Sequence, residues 1–284
     1  RDRVIFVGHP VAMVVAESAE ASLDALDRVQ VDYEPLRAAV TIDQAQAPNA
    51  PLVWPNGLPG TTSDEDQGNP SKLDTGPSTY VKNDNVANHN IFQRGDIAKG
   101  FAAADLVVER SFNTQGVHQS YIETQGVIAK PHPNNQGITI WTSTQAIFAV
   151  RDRVAELLDI PESSVHVIGT PIGGAFGGKF PLYEGLVAQV ARLVGRPVRL
   201  VLTRTEDMHA TNPMMPTRTK LKVGARTDGT LTAIHGQVQS DCGCLPRGLS
   251  SVMAGMIANT YRVPNIEIEA SEIMTFKPSC GAYR

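Results

Sequence analysis

A run of glycines around one aromatic ring, Gly173, Gly174, Phe176, Gly177 and Gly178, followed directly by Lys179 and Phe180, is the part of this sequence whose composition allows chemistry. Glycine puts no side chain between backbone and ligand and accepts positive φ, so such a loop brings N–H groups close to an anion or a polar cofactor. Gly173, Gly178 and Lys179 satisfy the phosphate-loop spacing G-x-x-x-x-G-K, but Phe180 stands where that loop needs a hydroxyl for magnesium. The stretch contains no G-x-G, which removes the dinucleotide fingerprint. A tight strand-to-helix turn with nothing bound is the plain structural alternative.

Other reactive side chains are sparse. Cys242, Cys244 and Cys280 are too few for a disulfide scaffold or a four-thiolate iron–sulfur site, and they lack structural zinc spacing. They read as reduced thiols, with Cys242 and Cys244 as small residues at a packed strand end. The histidines show no ligand spacing, so no metal-ligating residue is assigned. A formal net charge of −4, with 42% hydrophobic and 19% charged residues, describes an ordinary globular chain without the basic stripe of a nucleic-acid binder. No apolar run reaches membrane-spanning length, and Arg1, Asp2 and Arg3 open no signal-like segment, so the reading is cytoplasmic, no membrane and no nucleic acid.

The elements that must position the loop follow from periodicity. A short β-branched strand at 165–168 precedes it and a helix at 184–194 follows it. Before that come strands at 106–112, 121–129 and 138–143 and helices at 97–104 and 146–158. After it come a strand at 198–202 that reads as buried on both faces, a hairpin of 220–225 with 231–240 turned at 226–229, and a strand at 266–276. Residues 3–36 read as a small α/β unit, with strands at 4–7, 11–16 and 29–33 around a helix capped by Ser18. From 44 to about 90 the chain turns irregular, with a mobile 61–67 segment and Trp54 anchoring the crossing. The fold class is α+β, in three parts: 1–43, a linker at 44–90, and 91–284.

Three separated segments resemble one family. The loop from Ile172 to Lys179, the strand end from Trp141 to Gln145 and the terminal run Cys280, Gly281, Ala282, Tyr283, Arg284 are similar to the molybdopterin-binding large subunit of the xanthine dehydrogenase and aldehyde oxidoreductase family. The opening 7–12 and 31–36 resemble the small hammerhead-like domain that precedes the cofactor domain there. The resemblance covers nearly the whole chain and identifies 91–284 with the N-terminal part of the mixed α+β molybdopterin-binding domain.

The resemblance implies an oxidative hydroxylation of an aldehyde or aromatic N-heterocycle, with water as oxygen source. It implies a molybdopterin-type cofactor, in the cytosine dinucleotide form, with 2Fe-2S and FAD on partner chains. Gln145 is similar to a glutamine that donates a hydrogen bond to an oxygen ligand of the metal, as an uncharged amide can. Gly173, Gly174, Phe176, Gly177 and Gly178 match loop positions whose backbone meets the cofactor, and Arg284 matches an arginine beside the metal centre. Purine-hydroxylating members carry a glutamate where this chain has Phe180, which lines the substrate pocket or serves as plain core. Carbon monoxide dehydrogenase large subunits carry a cysteine just after an Ala-Tyr-Arg like 282–284, beyond the last residue given. The general-base glutamate and most nucleotide contacts belong to a later half of the domain. Glu123, the one nearby carboxylate, reads as structural. The expected partners are therefore the remainder of the subunit, an iron–sulfur subunit, an FAD subunit and a small-molecule substrate, and residues 1–284 alone are expected not to turn over. The alternatives are a non-catalytic binding or assembly module with the same fold, or a carbon monoxide dehydrogenase large subunit.

Overall fold

A computed structural model describes residues 3–58 and 84–283. In chain order they form α1 (Ala19–Leu26), α2 (Ile42–Ala45), β1 (Val86–Arg94), α3 (Ile97–Ala102), β2 (Leu106–Asn113), β3 (Gly126–Pro131), β4 (Ile138–Thr142) and α4 (Ile147–Leu158). Then follow β5 (Val165–Gly169), α5 (Glu184–Val194), β6 (Val198–Val201), α6 (Arg204–Ala210), β7 (Thr217–Ala225), β8 (Leu231–Gly243), α7 (Ser250–Thr260) and β9 (Asn265–Met274). Backbone contacts divide the chain into two units, one of residues 1–36, 118–214 and 281–284, the other of 37–117 and 215–280. This mixture of sheets and helices is the α+β class read from the sequence.

The first unit carries a four-stranded sheet in the order β5-β4-β3-β6, with β4 and β5 parallel and the other pairs antiparallel. The parallel pair needs a crossover, and α4 supplies it. Asp159, at φ +50, caps α4 in the left-handed region, and Pro161 follows, so the helix stops there. Val127, Ala129, Ile138 and Ile140 lie at alternate positions of β3 and β4 and pack with Val150 and Val154 of α4 and Val187, Ala188 and Ala191 of α5. Gly185 lets the helices close up, since a Cβ there would lie 2.8 Å from Leu157 Cδ2. At the carboxyl ends of β4 and β5 the chain leaves into Gln145 and the glycine loop, the usual place for a ligand in sheets with adjacent parallel strands.

The second unit carries a five-stranded sheet in the order β1-β9-β8-β7-β2, in which β8 and β9 are parallel and α7 makes the crossover. Ile234, Val238, Ile266, Ile268 and Ala270 pack there with Ala254 and Ala258 of α7. The hairpin of β7 and β8 closes on Gly229 at φ +87. Trp54 anchors its segment by donating from Nε1 to the Cys244 carbonyl.

Several elements differ from the sequence reading. Residues 3–17 and 29–36 form no strands. Only α1 appears there, capped by Ser18 as read, and none of its residues is buried. Valines at 7, 11, 15, 29 and 31 are exposed, and β-branched residues without a hydrogen-bonding neighbour give no sheet. The strand read as 121–129 begins only at Gly126, because side chains from α6 bind the backbone before it. β6 alternates buried and exposed residues because it is an edge strand. Strand β1 starts within the stretch read as irregular, and α6 and α7 were not visible in periodicity. The 61–67 segment lies outside the described residues. No helix among the described residues is long and apolar enough to cross a membrane.

Candidate functional site

The loop after β5 is held from outside rather than by its own turn. Gln145 Oε1 accepts from the Gly177 N–H at 2.9 Å, and the Gln145 N–H donates to the Lys179 carbonyl at 2.9 Å. Glu123 Oε2 accepts from the Gly173 N–H at 2.8 Å, while the Glu123 N–H donates to the Gly173 carbonyl at 3.2 Å. Only the Gly178 N–H bonds within the loop, to the Ala175 carbonyl at 2.8 Å. The N–H groups of Gly174, Ala175 and Phe176 have no acceptor among the described residues. Three consecutive open donors can receive an anion or a cofactor edge.

The backbone here is strained. Phe176 has φ +47, uncommon for a bulky residue, between Gly174 at φ +95 and Gly177 at φ +88. A non-glycine residue in the left-handed region costs about 1–2 kcal/mol, which surrounding contacts must hold in place. Phe176 is 53% exposed, so its ring is not what fixes the turn.

Since the Gly177 N–H must meet an oxygen, the orientation of the Gln145 amide is settled. Its two N–H donors are left without a protein partner among the described residues. Gln145 thus presents donors beside the open loop N–H groups. Gln119, 4% exposed, donates to the carbonyls of Asn212 at 2.9 Å and Ala282 at 2.8 Å, and its Oε1 is a buried acceptor without a hydrogen-bond partner among the described residues. Gly281 comes close to the loop, since a Cβ on it would lie 3.2 Å from the Gly177 carbonyl oxygen.

Behind the loop lies a polar brace. Asp207, 0% exposed, accepts from the Gln125 N–H at 3.0 Å, the Tyr121 hydroxyl at 3.2 Å and Arg204 at 3.2 Å. His118 accepts at Nδ1 from the Ser120 N–H, which makes Nε2 the donor toward Thr211 and the Asp207 carbonyl. These bonds explain why 118–125 is not a strand. Burial raises the Tyr121 phenol, and burial with the Glu206 and Asp207 charges pushes Tyr183 up to about 12.

Lys179 is fully buried. Its Nζ lies 2.6 Å from Glu123 Oε2 and 4.9 Å from the Tyr121 ring centroid. Partial burial would raise the Glu123 carboxyl, but the Lys179 hydrogen bond, the Gly173 N–H and the lysine charge outweigh it and hold it below the ordinary value. Glu123 is therefore a fixed anion rather than a proton acceptor, and Lys179 is not free to meet a phosphate. Sequence reasoning missed this pair. Its one signal was a lysine between Gly178 and an apolar residue.

Gln145 and Gly177 are thus in contact, with Gly173, Gly174, Phe176 and Gly178 in the same loop. Phe180 follows it half-buried, without a hydrogen bond or ring contact to Gln145. Arg284 lies outside the described residues. In the second unit, Cys242, Cys244 and Cys280 are buried thiols whose pKa values burial pushes up, to about 11 for Cys244 and about 12 for Cys280. No group of three or more His, Cys, Asp or Glu among the described residues is placed to hold a metal.

Residues 81–284 match the family described as molybdopterin cofactor-binding domain. The whole chain is 29% identical to a probable xanthine dehydrogenase subunit of Bacillus subtilis and covers 35% of its length. Among solved structures it is similar to quinoline 2-oxidoreductase from Pseudomonas putida 86, with TM-score 0.75 and 29% identity over 95% of this chain and 32% of that one. It is also similar to the aldehyde oxidoreductase of Desulfovibrio gigas, with TM-score 0.78 and 25% identity over 95% of this chain and 27% of that one. The chain spans about a third of the length of these relatives. With a glycine loop of open donors set beside a strand-end amide, it belongs to the molybdopterin cofactor-binding domain family of xanthine dehydrogenase and aldehyde oxidoreductase relatives.

Proposed function

We propose that this chain forms the part of a molybdenum hydroxylase that grips the cofactor, and that the enzyme oxidises an aldehyde or an aromatic N-heterocycle with water as oxygen source. The observation that carries the reading is the pairing of Gln145 with Gly177 beside the open N–H groups of Gly174, Ala175 and Phe176. The donor set fits the group. A molybdopterin-type cofactor is anionic and rich in oxygen and sulfur acceptors, and the loop offers backbone donors and an amide, while the carboxylate that touches it, Glu123, is already paired with Lys179. When bound, that cofactor supplies the two-electron oxidation and delivers the electrons onward.

The residues of this chain would bind and orient. The open loop N–H groups would hold the cofactor edge, and the Gln145 N–H donors would fix an oxygen at the metal without changing charge, since an amide does not titrate. Arg284 would offer a permanent cation there. Phe180 in place of a carboxylate favours substrates held by apolar contact over purines held by an acid. The cytosine dinucleotide form, 2Fe-2S and FAD partner chains and a cytoplasmic location complete the reading, as does the assignment of 1–43, 44–90 and 91–284 to a hammerhead-like part, a linker and the cofactor domain.

The test is to purify the native assembly containing this chain, identify its subunits, measure molybdenum, and follow dye-linked oxidation of an aromatic aldehyde and of quinoline. Stoichiometric molybdenum with turnover supports the reading. An assembly without molybdenum refutes it and leaves the binding-module alternative.

A further inference from the structure

We propose that Lys179, acting through Glu123, is the positioning residue that holds the loop donors and Gln145 in one arrangement; this rests on the cofactor reading above. A lysine at 0% exposure is costly unless both its charge and its polar backbone are satisfied, and here each bond it makes fixes a different part of the site. Nζ binds Glu123 Oε2 at 2.6 Å, with Ser143 Oγ at 3.4 Å. The same Glu123 oxygen takes the Gly173 N–H at 2.8 Å, which fixes the entry of the loop. The Lys179 carbonyl accepts the Gln145 N–H at 2.9 Å and the Thr144 hydroxyl at 3.3 Å, which fixes the amide segment at the loop's exit.

Between these two fixed points lie Gly174, Ala175 and Phe176, the residues with open N–H groups and the φ +47 turn. A strained turn keeps its shape only when both ends are over-determined, and one residue ties both, the entry through its ammonium and the exit through its main-chain carbonyl. Contact at the entry is close enough to exclude slack, since a Cβ on Gly173 would lie 2.6 Å from Glu123 Cβ. Without the ammonium, the Glu123 carboxylate, 39% exposed, has water to turn to and takes the Gly173 N–H partner with it.

The experiment uses the purified full-length enzyme with its partners, as wild type, Lys179→Met, Glu123→Gln and the double variant. Three readouts are taken: molybdenum per chain, hydrogen exchange of peptides spanning 173–177, and the paramagnetic resonance spectrum of the dithionite-reduced metal. A general loss of stability would not reshape that spectrum. Lys179→Met should speed exchange at Gly173 by about tenfold or more, the scale set by a charge-assisted hydrogen bond, and at Gly177 by less, since the main-chain carbonyl that holds Gln145 stays. It should also lower molybdenum several-fold and alter the spectrum of what remains. Glu123→Gln, which keeps an acceptor for Gly173, should change all three in the same direction by less. The double variant should be no worse than Lys179→Met alone, because the two act as one unit.

Wild-type enzyme without molybdenum would sink the cofactor reading, and the exchange data would still judge the clamp. Wild-type exchange and metal content in both single variants, or additive losses in the double, would overturn the positioning role. If Lys179→Met does not fold, Glu123→Gln decides, and unchanged exchange at Gly173 overturns it.

Discussion

Replacing Gln145 by glutamate separates the two ends of one amide. In the wild type Oε1 accepts the Gly177 N–H at 2.9 Å, while the N–H donors face no protein acceptor among the described residues. Gln145→Glu keeps the oxygen and deletes the donors, whereas Gln145→Ala deletes both. A neutral hydrogen bond contributes about 0.5–1.5 kcal/mol and one to an ionised group about 1.5–3, so the Gly177 contact should strengthen slightly in the glutamate variant. Gln145 is exposed, which places the gain at the low end, with a melting temperature unchanged or raised by a degree or two. Removing a preorganised donor from a site where charge develops costs about 2.7–4 kcal/mol, or about 10²–10³ in kcat. The assay is thermal unfolding together with molybdenum content and dye-linked turnover on the purified enzyme. The expected pattern is full stability with lost turnover for Gln145→Glu, and about 1 kcal/mol less stability with the same lost turnover for Gln145→Ala. Turnover within about twofold of wild type in the glutamate variant would refute the donor role, the reference loss being about 10² or more. Equal destabilisation of the two variants would refute the Gly177 contact.

Two further outcomes follow from single positions. Gly243 has φ +68, and a Cβ there would lie 1.9 Å from the Pro278 carbonyl oxygen, so Gly243→Ala should cost about 2–4 kcal/mol in urea unfolding, while Gly229→Ala, at φ +87 in open space, should cost only about 1–2. Similar costs would show that crowding does not fix the turn between Cys242 and Cys244. Tyr183 donates to the Ala210 carbonyl at 2.8 Å, and burial pushes its phenol up to about 12. A folded value above the unfolded value of about 10 lends stability that is complete below pH 10 and lost as pH climbs through 12. Tyr183→Phe should therefore lose less stability than wild type between pH 10 and 12, and parallel unfolding curves over that range would refute the shift.

Where local pattern decides, the sequence was readable. Helix α5 and the hairpin of β7 and β8 follow from apolar periodicity and a turn at Gly229, whereas Gln145 came from the family resemblance of 141–145 and not from local pattern. The failures have physical causes. Residues 3–17 and 29–33 carry strand-like valines, yet a strand exists only with a hydrogen-bonding neighbour, and no property of the segment itself supplies one. The stretch 121–125 has strand composition, but the Asp207 carboxylate and Arg204 take its backbone groups, and their reach across more than 80 residues leaves no local trace. Helix α7 has apolar residues on all sides, so its period is faint. Lys179 reads as a surface cation in any composition scale, and only the fold shows it buried on Glu123.

The glycines of the loop do two jobs, and the fold separates them. A Cβ at Gly173 would meet Glu123 Cβ at 2.6 Å, at Gly174 Tyr121 Cβ at 3.2 Å, and at Gly178 Gln119 Oε1 and Tyr121 Cε1 at 2.8 Å. All of these neighbours belong to 118–125, the segment that Asp207 and Arg204 keep out of the sheet. The loop is glycine-rich on one side because it packs against that segment at backbone distance, a demand that no ligand creates. Packing alone does not explain the rest. It leaves the N–H groups of Gly174, Ala175 and Phe176 without acceptors among the described residues and holds Phe176 at φ +47 with its ring exposed. A turn selected only to connect β5 with α5 would relax that torsion and pair those donors. The unrelaxed turn is what the cofactor reading accounts for: the segment at 118–125 fixes the back of the loop so that its front can stay open, and Gln145 adds the next donor in line.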